Sequence, residues 1–445
     1  MAMTMAMAMV ATSAADRRRA EDMAQRQPRT VRSSLEWVVR GGLAIVALAG
    51  GYSATVHSLA RVVAQRDPAR AHALAPNNGQ ISALTVKARF AAQQVDPAVM
   101  IRADRSVEQL ARHALRQDAS AIPAIVTLGL QAQGRGDVTE ARRWFAYSQT
   151  WSRRDLPTQL WAIADAAARQ DIPGALSHYD IALRTSKSAP DLLYPVLAKA
   201  IAHSPIRVEL VRTLVRGPAW GQSFITYLAE SDSEPRATSL LLMEAHRAGV
   251  VIPGTAGAKV VNALLNKGRW AEAWRLYANL RPGMRPDRSR DPRFDADPSA
   301  PFAFDWVPQG DGIMATSIQR GVSNGSRSKG GLFDFAAPPS TSGVLLRQVQ
   351  ILPPGRYRLD GHSIGISQPE ASLPYWVLNC REGPEIGRIV VPSSRTEKGR
   401  FTGSFIVPAS CPVQELSLVA RSSSDMSGVS GQIDFVQLVP VAPSS

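Results

Sequence analysis

Residues 281–301, RPGMRPDRSRDPRFDADPSAP, divide this chain of 445 residues into two textures. Pro282, Pro286, Pro292, Pro298 and Pro301, with alternating Arg and Asp, leave the stretch few apolar residues and interrupt any run of backbone donors. It cannot form a regular helix or strand, so residues 282–301 read as an extended linker at a domain boundary. Upstream the chain has helical spacing; downstream it has the texture of short strands.

From Phe302 onward ten β-rich runs alternate with Gly, Pro and Ser clusters: FAFDWV, IMATSI, GLFDFA, VLLRQVQIL, RYRLDGHSI, YWVLNC, GRIVV, FTGSFIV, ELSLVA and QIDFVQLV. Ten short strands in about 140 residues is the arithmetic of an antiparallel β-sandwich or jelly roll, here residues 302–440 with a tail at 441–445. Alternation of period two puts Phe401, Gly403, Phe405 and Val407 on one face, and points Tyr357 and Leu359 inward between Arg356, Arg358 and Asp360.

Residues 61–281 read as short amphipathic helices in pairs. Gly129, preceded by Ile125 and Leu128, is followed by Ala141, Phe145 and Ser148, and 34 residues on Ala175, Tyr179 and Ala182 repeat the second half of that pattern. Asp137 and Asp171 occupy the same turn, and Gly268-Arg269-Trp270-Ala271-Glu272-Ala273-Trp274 with Tyr277 gives a third match. Small residues opposite large ones let antiparallel helices approach closely. With more degenerate pairs at about 190–216 and 219–248, the region accommodates about six pairs.

On these residues the region resembles the tetratricopeptide repeat family, although Arg153 stands where that family often has Pro. The resemblance implies an α-solenoid whose curved face holds a protein or peptide partner. Arg142, Arg143, Arg153 and Arg154 flank one helix turn and are the candidate grip for an acidic partner; the alternative is a solvated face. Trp144, Phe145, Trp161, Tyr179, Trp270, Trp274 and Tyr277 read as core.

Two phrases of the downstream region, Leu352-Pro353-Pro354-Gly355-Arg356-Tyr357-Arg358-Leu359 and Gly431-Gln432-Ile433-Asp434-Phe435-Val436-Gln437-Leu438, resemble the galactose-binding-like jelly rolls of carbohydrate-binding modules. The resemblance implies a sugar gripped by exposed aromatic rings, for which Trp306, Tyr375 and Trp376 are the candidates, each with a competing place in the core. Asp434 has no cluster of acidic neighbours, so no metal is expected.

Residues 41–60, GGLAIVALAGGYSATVHSLA, lack any charged side chain and lie between Arg40 and Arg61. Twenty helical residues span about 30 Å, the hydrocarbon thickness of a bilayer. Arg17, Arg18, Arg19, Arg26, Arg29, Arg32 and Arg40 upstream would hold residues 1–40 in the cytoplasm, and Trp37 sits at an interfacial position. The expectation is a single-pass inner-membrane protein of a Gram-negative-type cell with its bulk in the periplasm. Two other readings are a signal peptide cleaved near Ala47-Leu48-Ala49 and a buried soluble helix. In an oxidising compartment Cys380 and Cys411, the two cysteines of the chain, would pair; the alternative is two buried thiols.

The formal charge of +14 invites a nucleic-acid reading, yet residues 301–445 balance 12 basic against 11 acidic side chains. The upstream surplus is arginine at helix-surface spacing, without the aromatic interleaving that stacks bases, so no nucleic acid is expected. Gly321-Val322-Ser323-Asn324-Gly325 spells a nucleophile elbow but is followed by a Ser/Gly-rich loop instead of a helix. No HExxH, Walker loop or CxxC occurs, and Asp305, Asp311, Asp334 and Asp360 have no spacing that makes them converge. With no catalytic residues, metal or cofactor expected, the two resemblances and the basic surface imply a non-enzymatic scaffold in envelope polysaccharide assembly or export, binding protein through its helices and a glycan through its sandwich. A polysaccharide-acting enzyme and a purely structural envelope protein are the alternatives.

Overall fold

The computed structural model describes residues 34–92, 104–231, 234–296, 299–310, 312–320, 330–423 and 428–441. The Arg-rich stretch before Ser34, Asp311 and the Gly321–Gly325 pentapeptide lie outside the described residues. The chain forms two compact units, one up to Ser152 and one from Arg153.

The first unit contains α1 (Ser34–Val63), α2 (Pro68–Leu74), α3 (Gly79–Ala92), α4 (Arg105–Gln117), α5 (Ile122–Gly134) and α6 (Val138–Trp151). Helix α1 runs beyond the apolar segment at both ends, because nothing at Arg40 or Arg61 breaks a helix. Within its stretch Glu36–Val63 an 18-residue window has a mean hydropathy of 1.4 and is 6% buried, so the helix is long and apolar enough to cross a membrane. Ala60 in its last turn and Ala64 just after it pack on Ala71, Ala75 and Ile81.

The second unit contains α7 (Leu156–Ala168), α8 (Ile172–Thr185), α9 (Ala189–Ala200), α10 (Ser204–Val215), α11 (Gly221–Ser231), α12 (Pro235–Arg247), α13 (Gly254–Asn266) and α14 (Trp270–Leu280). Helices α9, α11 and α13 touch in succession, as do α8, α10, α12 and α14, so the pairs build two layers of helices.

The 34-residue spacing is visible in the turns. Asp137 accepts a hydrogen bond from Glu140 N (2.8 Å) to start α6, and Asp171 accepts one from Gly174 N (2.9 Å) to start α8. Ahead of each Asp stands a left-handed residue, Gly136 (φ 81°) or Gln170 (φ 58°), and the amide of each Asp closes on Ala132 O or Ala166 O. Phe145 and Tyr179 are both buried.

The sandwich has two antiparallel sheets. One has the order β1 (Val307–Pro308), β4 (Gly343–Gln350), β9 (Gln414–Ala420), β6 (Tyr375–Cys380) and β7 (Glu385–Val390). The other has the order β2 (Ala315–Gln319), β3 (Leu332–Ala337), β10 (Val429–Pro440), β5 (Gly355–Ile364) and β8 (Arg400–Val407). Inward residues of both sheets, among them Phe335, Leu359, Trp376, Phe405, Leu418 and Val436, form one core. Of the first expected strand only Val307 pairs, together with Pro308 after it; Phe302 and Phe304 instead turn toward the helices. Cys380 and Cys411 form the disulfide, tying the end of β6 to the loop before β9.

The Pro-rich segment lies between the last helix and β1. It is irregular, but it is not a free spacer. Ser289 N and Val436 N bond Leu438 O and Pro292 O (2.9 and 3.0 Å), so the segment lies along β10, and Phe294 enters the sandwich core. Arg290 is buried between Trp274 and Phe304, 5.5 and 5.6 Å from their rings. Its guanidinium donates to Phe304 O (2.8 Å), Gln350 Oε1 (3.0 Å), Arg288 O (3.3 Å) and Val349 O. Burial lowers its pKa to about 10, which leaves it charged at neutral pH. Around it α13, α14, Phe302, Phe304, Val349 and Val413 share one apolar cluster, so helices and sandwich are fused in this unit.

Candidate functional site

The side chains on the outer face of the β2-β3-β10-β5-β8 sheet are placed by strand alternation with one interruption. On β5, Tyr357, Leu359, Gly361 and Ser363 are buried, while Arg356, Arg358, Asp360 and His362 face outward. On β8, Phe401 and Phe405 are buried, while Arg400, Thr402 and Ser404 face outward. On β10 the pairing with β5 slips between Ile433 and Phe435, leaving Asp434 as the extra residue of a β-bulge. Ile433 and Val436 both point into the core, so Asp434 and Phe435 emerge side by side on the outer face.

Asp360, His362, Arg400, Thr402, Asp434 and Phe435 line a groove of about 760 Å³ that crosses β10, β5 and β8. Asp360 accepts hydrogen bonds from Arg358 Nε (2.7 Å) and Thr402 Oγ1 (2.9 Å). His362 bridges two elements: Nδ1 lies 2.6 Å from Asp434 Oδ1, and Nε2 lies 3.0 Å from Lys398 O. Both ring nitrogens thus face oxygen atoms of other elements. Lys398 belongs to a tight turn in which Glu397, Lys398 and Gly399 all have left-handed backbone (φ 48°, 54° and 78°). Two consecutive non-glycine residues in that region store about 1–2 kcal/mol each. The turn is held by His362 and by Ser363 Oγ donating to Gly399 O (3.3 Å).

The Pro-rich segment supplies the far wall. Gly331 N bonds Arg293 O (2.7 Å), and a Cβ on Gly331 would stand 2.1 Å from Phe294 O, so only glycine permits this approach. Arg293, Gly330 and Gly331 line the groove on that side. The half-buried Phe435 ring, carboxylates of Asp360, Asp434 and Glu397, and cations of Lys398 and Arg400 therefore share one concavity, which suits a ligand with an apolar face and many hydroxyls.

The ring candidates taken from the sequence lie elsewhere. Trp306 (2% exposed) and Trp376 (0%) pack on each other in the core with centroids 5.6 Å apart, so neither offers a face to a ligand. The apolar bulk that makes a tryptophan a good platform also favours its burial. Tyr375 is half-buried on the outer face of the other sheet, with the Arg388 and Arg421 guanidiniums 4.9 and 4.8 Å from its ring centre. Arg388 is held there by Glu385 (2.9 and 2.7 Å).

Arg142 and Arg143 are exposed on α6, and Arg153 and Arg154 are exposed before α7 in the second unit. His178 bonds Gln159 Oε1 (2.8 Å), and burial lowers its pKa. Among the described residues no three His, Cys, Asp or Glu side chains converge as a metal site would require.

Phe435, His362, Lys398 and Arg400 escaped the sequence reading. One signal for Phe435 was present: in Gln432-Ile433-Asp434-Phe435-Val436-Gln437-Leu438 the apolar phase set by Ile433 resumes at Val436 and Leu438 only after one extra residue.

No family model matches the chain, and no curated protein does. Among solved structures, the chain is similar to the enzymatically active domain of bacteriophage CBA120 tailspike protein 4, at 12% identity over 31% of this chain and 19% of that one, with a TM-score of 0.23. The chain therefore spans about a fifth of the tailspike domain. It is also similar to TmCBM61 in complex with β-1,4-galactotriose, at 14% identity over 31% of this chain and 88% of that one, TM-score 0.21. A CBM4 structure gives 16% identity over 34% and 96%, TM-score 0.23.

Proposed function

We propose that the chain is a membrane-anchored, non-enzymatic scaffold that holds a glycan in the groove across β10, β5 and β8 and a protein or peptide on its helical pairs. The observation that carries the glycan part is the β10 bulge, which sets an aromatic ring beside a carboxylate in an open polar groove. A pyranose has an apolar C–H face for such a ring and hydroxyls for Asp360, Asp434 and Thr402. Both aspartates are already engaged, by Arg358 with Thr402 and by His362, which favours acceptor roles over proton transfer.

The helical pairs support the partner role through the 34-residue spacing of their capping aspartates, the tetratricopeptide period. Helix α1 supplies the anchor, with the arginines before it in the cytoplasm and the sandwich in an oxidising periplasm that suits the disulfide. Such a protein belongs in the assembly or export of an envelope polysaccharide.

The test is a glycan array probed with the full chain in detergent, wild type against Phe435→Ala. Binding reduced at least tenfold by the substitution is expected; an array blank for the wild type would refute the glycan reading. The three carboxylates in one groove favour a second reading, a polysaccharide-acting enzyme. Shortened products from a bound polymer, lost in Asp434→Asn, would establish it instead.

A further inference from the structure

Helix α1 leaves its apolar span at an elbow whose charge is one-sided. Residues 61–92 hold five basic side chains, Arg61, Arg66, Arg70, Lys87 and Arg89, against one acidic side chain, Asp67. Exported flanks of membrane helices are usually poor in Lys and Arg, so this surplus calls for a physical reason. Arg61, Arg66 and Arg70 are exposed, and among the described residues no ion pair or side-chain hydrogen bond engages any of them. Asp67 Oδ1 accepts from Arg70 N (2.9 Å) and so caps α2. Even with Asp67 counted, residues 61–74 carry a net of two positive charges, three Arg less one Asp.

The elbow is tied down, and its outward face is defined. Arg66 N and Asp67 N both bond Val63 O (2.9 Å), which turns the chain sharply after α1. Thr85 Oγ1 donates to Pro68 O (2.7 Å), and Ala71 and Ala75 share one apolar cluster with Ala60, Ala64 and Ile81, so α2 is held against both α1 and α3. With Ala71 turned inward, Arg70, Ala73 and Leu74 face away from the protein, and Leu59 and Val62 are exposed on the last turns of α1. Ala60, the last residue of the apolar segment, is fully buried, so the folded unit begins where that segment ends. From this we infer that the elbow lies on the bilayer surface and that Arg61, Arg66 and Arg70 bind the headgroup phosphates of acidic phospholipids. The inference rests on the anchor reading above and names the surface to which the anchor brings the chain. A span that starts after Arg40 has crossed about 30 Å of hydrocarbon by Arg61, and the headgroups add about 5–7 Å on each side. Arg66 comes five residues later, about 7 Å farther along a helix, and the packing of Ala71 beside Ala60 and Ala64 keeps Arg70 near the same depth. Guanidinium forks match phosphate oxygens in shape as well as charge. Leu59, Val62 and Leu74 supply apolar side chains for the boundary just below the headgroups.

The experiment reconstitutes the full chain in nanodiscs of phosphatidylcholine, alone or with about 30% phosphatidylglycerol, and follows amide hydrogen exchange over residues 64–75. Exchange there is expected to slow at least fivefold with the acidic lipid, and the slowing to shrink as salt rises from about 50 to 500 mM. Arg61→Gln, Arg66→Gln and Arg70→Gln together should abolish the difference, whereas Arg66→Gln or Arg70→Gln alone should remove part of it. Arg40→Gln, at the far end of the span, should leave it intact. Unchanged thermal midpoints would separate these effects from misfolding. Equal exchange in the two nanodiscs, or slowing that survives the triple substitution, would overturn the inference. Slowing reproduced over phosphatidylcholine alone by about 10 mM inorganic phosphate would assign the arginines to a free anion and overturn the lipid surface as their partner. Alkaline carbonate washing tests the anchor separately. Release of the chain from membranes would refute the anchor reading and this inference with it, whereas a retained chain without the lipid effect refutes this inference alone.

Discussion

The two outer faces of the sandwich are made by the same alternation and serve opposite ends. On the β4 side Val349 is sealed against the helices with Phe302 and Phe304, and farther along the sheet Tyr375 lies under two guanidiniums. On the β10-β5-β8 side a bulge turns Phe435 and Asp434 outward together, and a groove crosses the strands. Composition does not separate the faces, since each has an aromatic ring, arginines and acids. What separates them is occupancy: cations already cover the ring on one face, whereas a half-buried ring lines an open groove on the other.

The contrast breaks most sharply at Arg290. Arg290→Ala would strand the carbonyls of Phe304 and Val349 and the side-chain oxygen of Gln350, and would open a hole between Trp274 and Phe304. A loss of about 4–5 kcal/mol is expected in chemical denaturation, because each stranded buried acceptor costs about 1–3 kcal/mol and relief from desolvating the cation returns part of it. Replacing both Cys380 and Cys411 by Ser comes next. The disulfide spans 31 residues, which in the chain-entropy estimate contributes about 3–4 kcal/mol, read as the change in midpoint between double variant and wild type.

Smaller effects sharpen the comparison. Phe435→Ala should lower glycan affinity tenfold or more, about 1.4 kcal/mol, with little change in thermal midpoint. Tyr375→Ala should do the reverse, leaving glycan affinity unaltered and costing about 1 kcal/mol or less in stability through lost guanidinium contacts. Equal losses of affinity in the two variants would erase the distinction between the faces.

Particular elements show what the sequence could reveal. The capping aspartates Asp137 and Asp171 stand where the 34-residue spacing places them, because a cap is a local interaction between residues three apart. The strands from IMATSI onward appear near their expected positions for a similar reason: side-chain alternation is a property of one strand. Trp306 and Trp376 show the limit, since whether a ring is buried depends on the opposite sheet. The Pro-rich segment shows it again: its lack of periodicity excluded regular structure, yet Arg290 and Phe294 are fixed by partners more than thirty residues away in sequence.

The sequence by itself determined the order of helices, strands and apolar span, because period, capping and hydropathy are written into neighbouring residues. Only the tertiary structure decided that the Pro-rich segment joins the two folds, that the tryptophans are core, and that a one-residue slip on β10 makes a groove out of a sheet face. Those outcomes depend on pairing register and on what covers each surface, and both are settled by contacts between residues far apart in the chain.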